Sequence, residues 1–273
     1  MKIQNKVSYG VKIIFSDIDG TLLDNCHQVS GGTCKKIIEL EQKGIPFVLI
    51  SARMPEGVTS IQRQIGNHSP IICYSGGLIY DEGGKILYSC LLEMDKALKI
   101  KEILKAEFPR ISFNTYGYEK WIVDSANDPW VREEENITGL KAKEGDMEKE
   151  FAEGGGIHKL LLMGESEEIQ SVETRLRKKY PELSIVLSKK NYLEIMHGNA
   201  NKSTGICHLC NHRGISLEEA MAFGDGYNDM DMLKAVKYSY AMGNAPEEVR
   251  ESAAYVTLNN DNEGILAVIK ELN

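Results

Sequence analysis

Asp17 and Asp19 stand two residues apart where an apolar run (Val11, Ile13, Ile14, Phe15) stops, and Gly20 follows them. Carboxylates at i and i+2 of an extended segment can point the same way, and a glycine lets the chain turn sharply away. Such a pair has two common uses: holding a hard cation such as Mg2+ through oxygen ligands, or supplying a nucleophile beside an acid/base partner. Asp-Gly is also ordinary turn chemistry, so the pair alone leaves an exposed turn open. Three further polar groups follow apolar runs. Ser51 and Arg53 come after Phe47–Ile50, Ser75-Gly76-Gly77 after 71–74, and Gly224-Asp225-Gly226-Tyr227-Asn228-Asp229 after 221–223. Lys202 lies ahead of a helix expected to begin near Ser203.

These residue types together can serve phosphoryl transfer. That reaction needs oxygen ligands for Mg2+, a nucleophile, a positive charge and neutral donors for the phosphoryl oxygens, and a proton donor for the leaving group. Asp17 is the candidate to attack phosphorus, with Asp17 and Asp225 holding the metal, Ser51 and Lys202 binding the transferring group, and Asp19 protonating the leaving oxygen and then activating water.

The elements that must position these groups read as alternating strands and helices. The runs at 11–15, Phe47–Ile50, 71–74, 221–223, 238–242 and 255–258 have the continuous apolar character of strands buried on both faces. Between them fall a helix carrying Ile37, Ile38 and Leu40, capped by Thr33 and ending at Gly44, and a second from Pro55 to about Gly66. Residues 80–88 read as a hairpin around Asp81-Glu82-Gly83-Gly84. The expected fold is α/β, a doubly wound parallel sheet, whose ligands bind outside the carboxyl ends of the strands. All four polar groups then face one crevice. From about Ser89 the pattern changes to charged amphipathic helices at Met94–Glu107 and Ser166–Lys179 among short alternating strands. This is an α+β insert, giving a discontinuous core domain at 1–88 and 190–273 and an inserted domain at 89–189.

The ordered set DIDGT, LISAR, a lysine and GDGYND resembles the haloacid dehalogenase superfamily of phosphatases, and the insert resembles the large α/β cap of its Cof-type branch. The resemblance spans the chain, including Ala241-Met242-Gly243-Asn244-Ala245 near the carboxyl terminus. It implies a Rossmann-like core with an α+β cap and a cytoplasmic, Mg2+-dependent phosphatase of a small phosphorylated metabolite, with a sugar phosphate expected from the branch. Asp17 would be the nucleophile that carries an aspartyl phosphate, and Asp19 the general acid/base. The metal would be held by Asp17, Asp225 and the backbone carbonyl of Asp19. Ser51, Arg53, Gly76, Gly77, Lys202 and Asn228 would contact substrate or fix the loop, and Asp229 would support the metal from behind its ligands. Four departures stand out: Ser51-Ala52-Arg53 for a more frequent Thr-Gly-Arg, Ser75-Gly76 for Asn-Gly, Asn199 where glycine is frequent, a position suited to a left-handed turn, and Ser203 for a frequent glycine after the lysine. A phosphomutase on the same scaffold and a non-catalytic regulator that binds a phosphorylated metabolite are the alternatives.

Composition narrows the partners. A net charge of -8 over 273 residues opposes broad attraction to nucleic acid or an anionic membrane, while a bound divalent ion would still admit a small anion. The first ten residues lack the apolar core of a signal peptide, no run reaches membrane-spanning length, and six scattered cysteines read as reduced thiols. Cys207-His208-Leu209-Cys210 with His212 invites a zinc reading, but no second ligand pair stands at the usual spacing and a helix explains them better. Within the insert, Tyr116, Tyr118, Trp121, Trp130 and His158 suit closure over a polar organic group, or packing in the insert's own core.

Overall fold

The computed structural model describes residues 10–272; residues 1–9, most of the segment read above for a leader, lie outside them. The chain forms two compact units. One runs to Arg53 and takes in Val58–Tyr88 and the chain from Asn201 onward, and the other is Met54–Gly57 with Ser89–Ala200.

The first unit is built on an eight-stranded sheet. Its order is Tyr255–Val256, Tyr238–Ala241, Ala220–Gly224, Ile13–Ser16, Phe47–Ile50, Ile71–Cys73, Leu78–Tyr80, Ile86–Ser89. Ile13–Ser16 pairs in parallel with Ala220–Gly224 on one side and Phe47–Ile50 on the other. The chain therefore winds outward in both directions from Ile13–Ser16, and its carboxyl end is the topological switch point where α/β sheets open a crevice. All four residues of Ile13–Ser16 and of Phe47–Ile50 are buried, as continuous apolar runs predict for central parallel strands.

Local chemistry sets the helix ends. Ser30, not Thr33, caps Gly31–Gln42: the Ser30 hydroxyl accepts from the Thr33 N–H at 3.1 Å, which places Thr33 inside the first turn. Asn201 caps Lys202–Arg213 by accepting from the Thr204 N–H at 2.9 Å, so Lys202 is the first helical residue and the helix begins one position earlier than expected. Cys207, His208, Cys210 and His212 all lie on this helix, with His208 stacked on Tyr88 at a ring separation of 3.8 Å.

The second unit carries a six-stranded sheet ordered Ser184–Lys189, Tyr192–Met196, Lys159–Met163, Ser112–Gly117, Lys120–Val123, Lys143–Glu144. Its first five strands pair antiparallel. Helices Met94–Glu107 and Ser166–Lys179 bury Ile100, Leu104, Ile169, Val172 and Leu176 in one aliphatic core with Phe113, Leu160, Leu162, Leu193 and Ile195 of the sheet. A boundary at residue 190 would cut the hairpin of Ser184–Lys189 and Tyr192–Met196, whose strands belong to this sheet; the chain re-enters the first unit at Asn201 instead. No helix among the described residues is long and apolar enough to cross a membrane.

Candidate active site

The carboxyl end of Ile13–Ser16 delivers Asp17 into a buried polar cluster. The Lys202 ammonium donates to Asp17 Oδ1 and, at 2.5 Å, to Asp229 Oδ1, and its side chain has no exposed surface. Asp229 Oδ2 accepts from the N–H groups of Asp225 at 2.9 Å and Gly226 at 2.8 Å, so both oxygens of Asp229 already have partners. Its work is to hold the lysine and the loop that carries Asp225. One oxygen from each of Asp17, Asp225 and Asp229 lies within 4.8 Å of the others. Asp225 Oδ1 accepts from Thr21 Oγ1 at 2.6 Å, and Asn244 Nδ2 approaches Asp225 Oδ2 at 3.4 Å while donating to the Gly20 carbonyl at 2.9 Å. Gly20 has φ +80°, and a Cβ there would stand 2.5 Å from Asp225 Oδ2, so glycine is needed for both turn and clearance.

Asp19 goes elsewhere. The strand ends at Ser16, and the N–H groups of Leu22 and Leu23 both turn back onto the Ile18 carbonyl, so strand alternation no longer relates Asp17 to Asp19. Asp17 is 8% exposed, whereas the Asp19 side chain is 49% exposed and grips Arg53 in a two-point pair, Nε to Oδ2 at 2.9 Å and Nη2 to Oδ1 at 2.5 Å. Ser51 is buried at the end of its strand, and its hydroxyl accepts from the Arg53 N–H at 3.2 Å, fixing the turn that aims the guanidinium.

The loop after Ile71–Cys73 is held in a conformation the sequence does not announce. Tyr74, Ser75 and Gly76 have φ of 50°, 52° and 100° in succession. Two non-glycine residues in the left-handed region are a local cost that the surroundings must impose. The N–H groups of Tyr74 and Ser75 donate to the carbonyls of Arg53 at 3.1 Å and Ser51 at 2.9 Å, which locks this loop to the second motif. A Cβ on Gly76 would stand 2.1 Å from the Asn201 carbonyl oxygen, so Gly76 lets the loop press against the residue that caps the Lys202 helix. Asn199 does not supply the left-handed turn expected of it; its N–H donates to His197 Nδ1 at 3.1 Å. Gly77 closes the turn by donating to the Tyr74 carbonyl at 2.9 Å, and Asn228 is exposed on the loop beyond Asp225.

The electrostatics follow from three carboxylates facing one ammonium. Burial pushes the Asp17 carboxyl up to about 8 against the pull of Lys202, with Asp229 and Asp225 adding to the rise. Burial pushes Asp225 up to about 6, resisted by the hydrogen bond from Thr21. Burial works to lower Lys202, but Asp17 and Asp229 outweigh it and hold the lysine above its ordinary value, so the ammonium stays charged. The cluster carries surplus negative charge in an all-oxygen donor set, which suits a hard divalent cation.

Asp17, Lys202, Asp225 and Asp229 are thus brought into one cluster, and Ser51, Arg53 and Asp19 into a second linked set. Two contributing residues had no role assigned from sequence. Thr21 was visible only as the last letter of DIDGT, and Asn244 belongs to a segment 224 residues from the glycine whose carbonyl it binds.

Comparison with known proteins gives a consistent picture. Residues 14–269 match the family of haloacid dehalogenase-like hydrolases. A Haemophilus influenzae protein is 36% identical over 260 residues, covering 95% of this chain and 97% of its own length. Phosphatase YwpJ of Bacillus subtilis is 28% identical, covering 96% of this chain and 100% of its own. The 5-amino-6-(5-phospho-D-ribitylamino)uracil phosphatase YcsE of the same organism is 26% identical, with 95% of each chain covered. Among solved structures, a haloacid dehalogenase-like hydrolase from Bacteroides thetaiotaomicron superposes with a TM-score of 0.86 at 26% identity, covering 95% of this chain and 98% of its own.

Proposed function

The chain belongs to the haloacid dehalogenase-like hydrolases and is a phosphatase, and from that premise we propose that it hydrolyses a small phosphorylated metabolite, a sugar phosphate, with Mg2+ and through a phosphoryl group carried on Asp17. The observation that carries this reading is the buried Lys202 shared by Asp17 and Asp229 beside Asp225. It supports a carboxylate held in place to act as nucleophile, and it leaves more negative charge than the lysine balances.

Asp17 attacks phosphorus with one carboxylate oxygen while Lys202 holds the side chain and the transferring oxygens. Asp19 gives its proton to the leaving oxygen as the bond to phosphorus breaks, and the alcohol departs. Asp19, now a carboxylate, takes a proton from a water that attacks the phosphorus of the aspartyl phosphate, releasing phosphate and restoring Asp17. For either step Asp19 must loosen its pairing with Arg53, whose guanidinium would turn to the phosphoryl oxygens beside the Ser51 hydroxyl. Mg2+ would be held by Asp17, Asp225 and the Asp19 carbonyl, supplying charge that offsets repulsion between carboxylate and phosphate. Ser89–Ala200 acts as a cap that selects the leaving group, and the protein works in the cytoplasm.

The sugar phosphate follows the branch resemblance, and the phosphorylated ribityl compound in the name of YcsE is of the same hydroxyl-rich kind. Phosphate release from a panel of sugar, alditol and nucleoside monophosphates, with Mg2+ and with excess chelator, tests the proposal. Release that needs the metal supports it; release that survives chelation contradicts the metal assignment, and silence toward every sugar phosphate contradicts the substrate class.

A further inference from the structure

The turn after Asp17 is gripped by side chains 224 to 237 residues further along the chain. Asn244 Nδ2 donates to the Gly20 carbonyl at 2.9 Å and Asn260 Nδ2 to the Leu23 carbonyl at 3.0 Å, while Asp261 accepts from both the N–H and the side-chain amide of Asn25. Within the turn the N–H groups of Leu22 and Leu23 both return to the Ile18 carbonyl, whereas the Gly20 and Leu23 carbonyls accept from outside it. The gripping segment is itself held firmly. Gly243 N–H donates to the Leu258 carbonyl at 3.1 Å, and Thr257 Oγ1 donates to the Gly264 carbonyl at 2.6 Å. A Cβ on Gly264 would stand 2.1 Å from the Leu258 carbonyl oxygen, so the loop closes only around glycine.

Asn244 stands at the centre of this grip. Its Oδ1 accepts from the Asn260 N–H at 3.1 Å, which fixes the way the amide faces: Nδ2 has to point at the Gly20 carbonyl. The same nitrogen lies 3.4 Å from Asp225 Oδ2. One oriented amide therefore touches both the turn that carries Asp19 and the carboxylate of Asp225. Burial does not account for it, because Asn244 is exposed and covers no apolar surface from water that a smaller side chain would leave open to it.

We infer that Asn244 is a positioning residue, which sets the spacing between Asp225 and the Asp19–Gly20 turn and thereby the affinity of the site for Mg2+. It acts through those two elements and touches neither the phosphoryl group nor the leaving group. Groups that orient metal ligands from behind are worth about 10–100-fold in metal affinity. Asn260 supports the role by holding the Asn244 amide and the Leu23 carbonyl at once. This inference rests on the metal-dependent phosphatase reading.

The test titrates Mg2+ into the full-length, metal-free protein by calorimetry. Asn244→Ala should raise the Kd for Mg2+ about tenfold or more. Saturating Mg2+ fixed at the wild-type requirement should also raise the urea unfolding midpoint of the variant by less than that of the wild type, whereas a merely structural residue would lower both midpoints equally with and without metal. Asn262→Ala is the control on the same segment, since its amide bonds to Asn259 Oδ1 at 2.6 Å, and it should leave the Kd unchanged. An unchanged Kd in Asn244→Ala, or an equal rise in Asn262→Ala, overturns the inference; the metal reading then stands if Asp225→Asn still weakens binding. A wild type that binds no Mg2+, or an Asp225→Asn variant that binds it as tightly as the wild type, overturns the metal reading itself and the inference with it.

Discussion

In the eight-stranded sheet the strands around Ile13–Ser16 are apolar along their length and the polar groups begin where they stop, whereas in the six-stranded sheet Lys159, Glu194 and Asn114 lie within the strands themselves. The first arrangement brings Asp17, Ser51 and Asp225 together from separate strand ends, and partners hold them tightly: Lys202 is shared by two carboxylates and both oxygens of Asp229 are in use. The second buries polar and charged side chains among its strands, with Lys159 paired to Glu194 at 3.6 Å and Trp121 Nε1 donating to Asn114 Oδ1 at 3.0 Å. Groups preorganised at strand ends are placed to serve a reaction, whereas polar groups paired within a sheet hold that sheet's interior together.

The sharpest way to break this comparison is Asp17→Asn, a nearly isosteric exchange. Phosphate release should fall on the order of 10^4-fold or more with circular dichroism unchanged; activity near wild type would mean that the strand ends do not carry the chemistry. Lys202→Met should cost about 3–5 kcal/mol in urea unfolding of the metal-free protein, because it strands two buried carboxylates. Gly76→Ala probes the strained loop. With φ +100° and the Asn201 oxygen 2.1 Å from the new Cβ, it should cost about 2 kcal/mol or more and lower kcat by displacing the start of the Lys202 helix.

In the second unit the expected effects fall on stability and not on the chemistry. His158 is buried, accepts from the Tyr118 N–H at 3.1 Å and lies 3.1 Å from the Ser89 hydroxyl, and burial pulls it from 6.5 down to about 3. The unfolded chain then binds a proton that the folded chain refuses. Its contribution is present in full above 6.5 and is lost as pH falls toward 3, at about 1.4 kcal/mol per pH unit through that window. His158→Asn should flatten the slope by that amount when both proteins are unfolded in urea across the window; parallel slopes would remove His158 from the account. Tyr192→Phe should cost about 0.5–1.5 kcal/mol in urea unfolding, because its hydroxyl is hydrogen-bonded to the Glu134 carboxyl; no loss would show that this pair does not hold the sheet's buried face.

Within the buried cluster Asp17 and Asp225 were legible because each comes at the end of a continuous apolar run, and strand ends on one edge of a parallel sheet converge whatever the loops do; Lys202 follows no such run. Three features were not legible. The divergence of Asp17 and Asp19 depends on where the strand stops, one residue before Asp17, and on an arginine 34 residues away. The left-handed run at Tyr74–Gly76 is imposed by tertiary hydrogen bonds to Ser51 and Arg53, against the preference of tyrosine and serine. The burial of both faces at Ser112–Gly117 was not legible either, because alternation alone does not tell a solvated stripe from a polar interior.

The measurement that bears most directly on the account is to mix the Mg2+-loaded Asp19→Asn variant with a hydrolysable monophosphate, quench in acid within milliseconds to seconds, and map the phosphorylated peptide by mass spectrometry. Slowed release of the phosphoryl group should let it accumulate on Asp17, in the peptide that spans Ile13–Ser16 and the turn beyond it. A phosphoryl group found on another residue, or substrate consumed with none ever bound to the protein, would contradict Asp17 as the nucleophile.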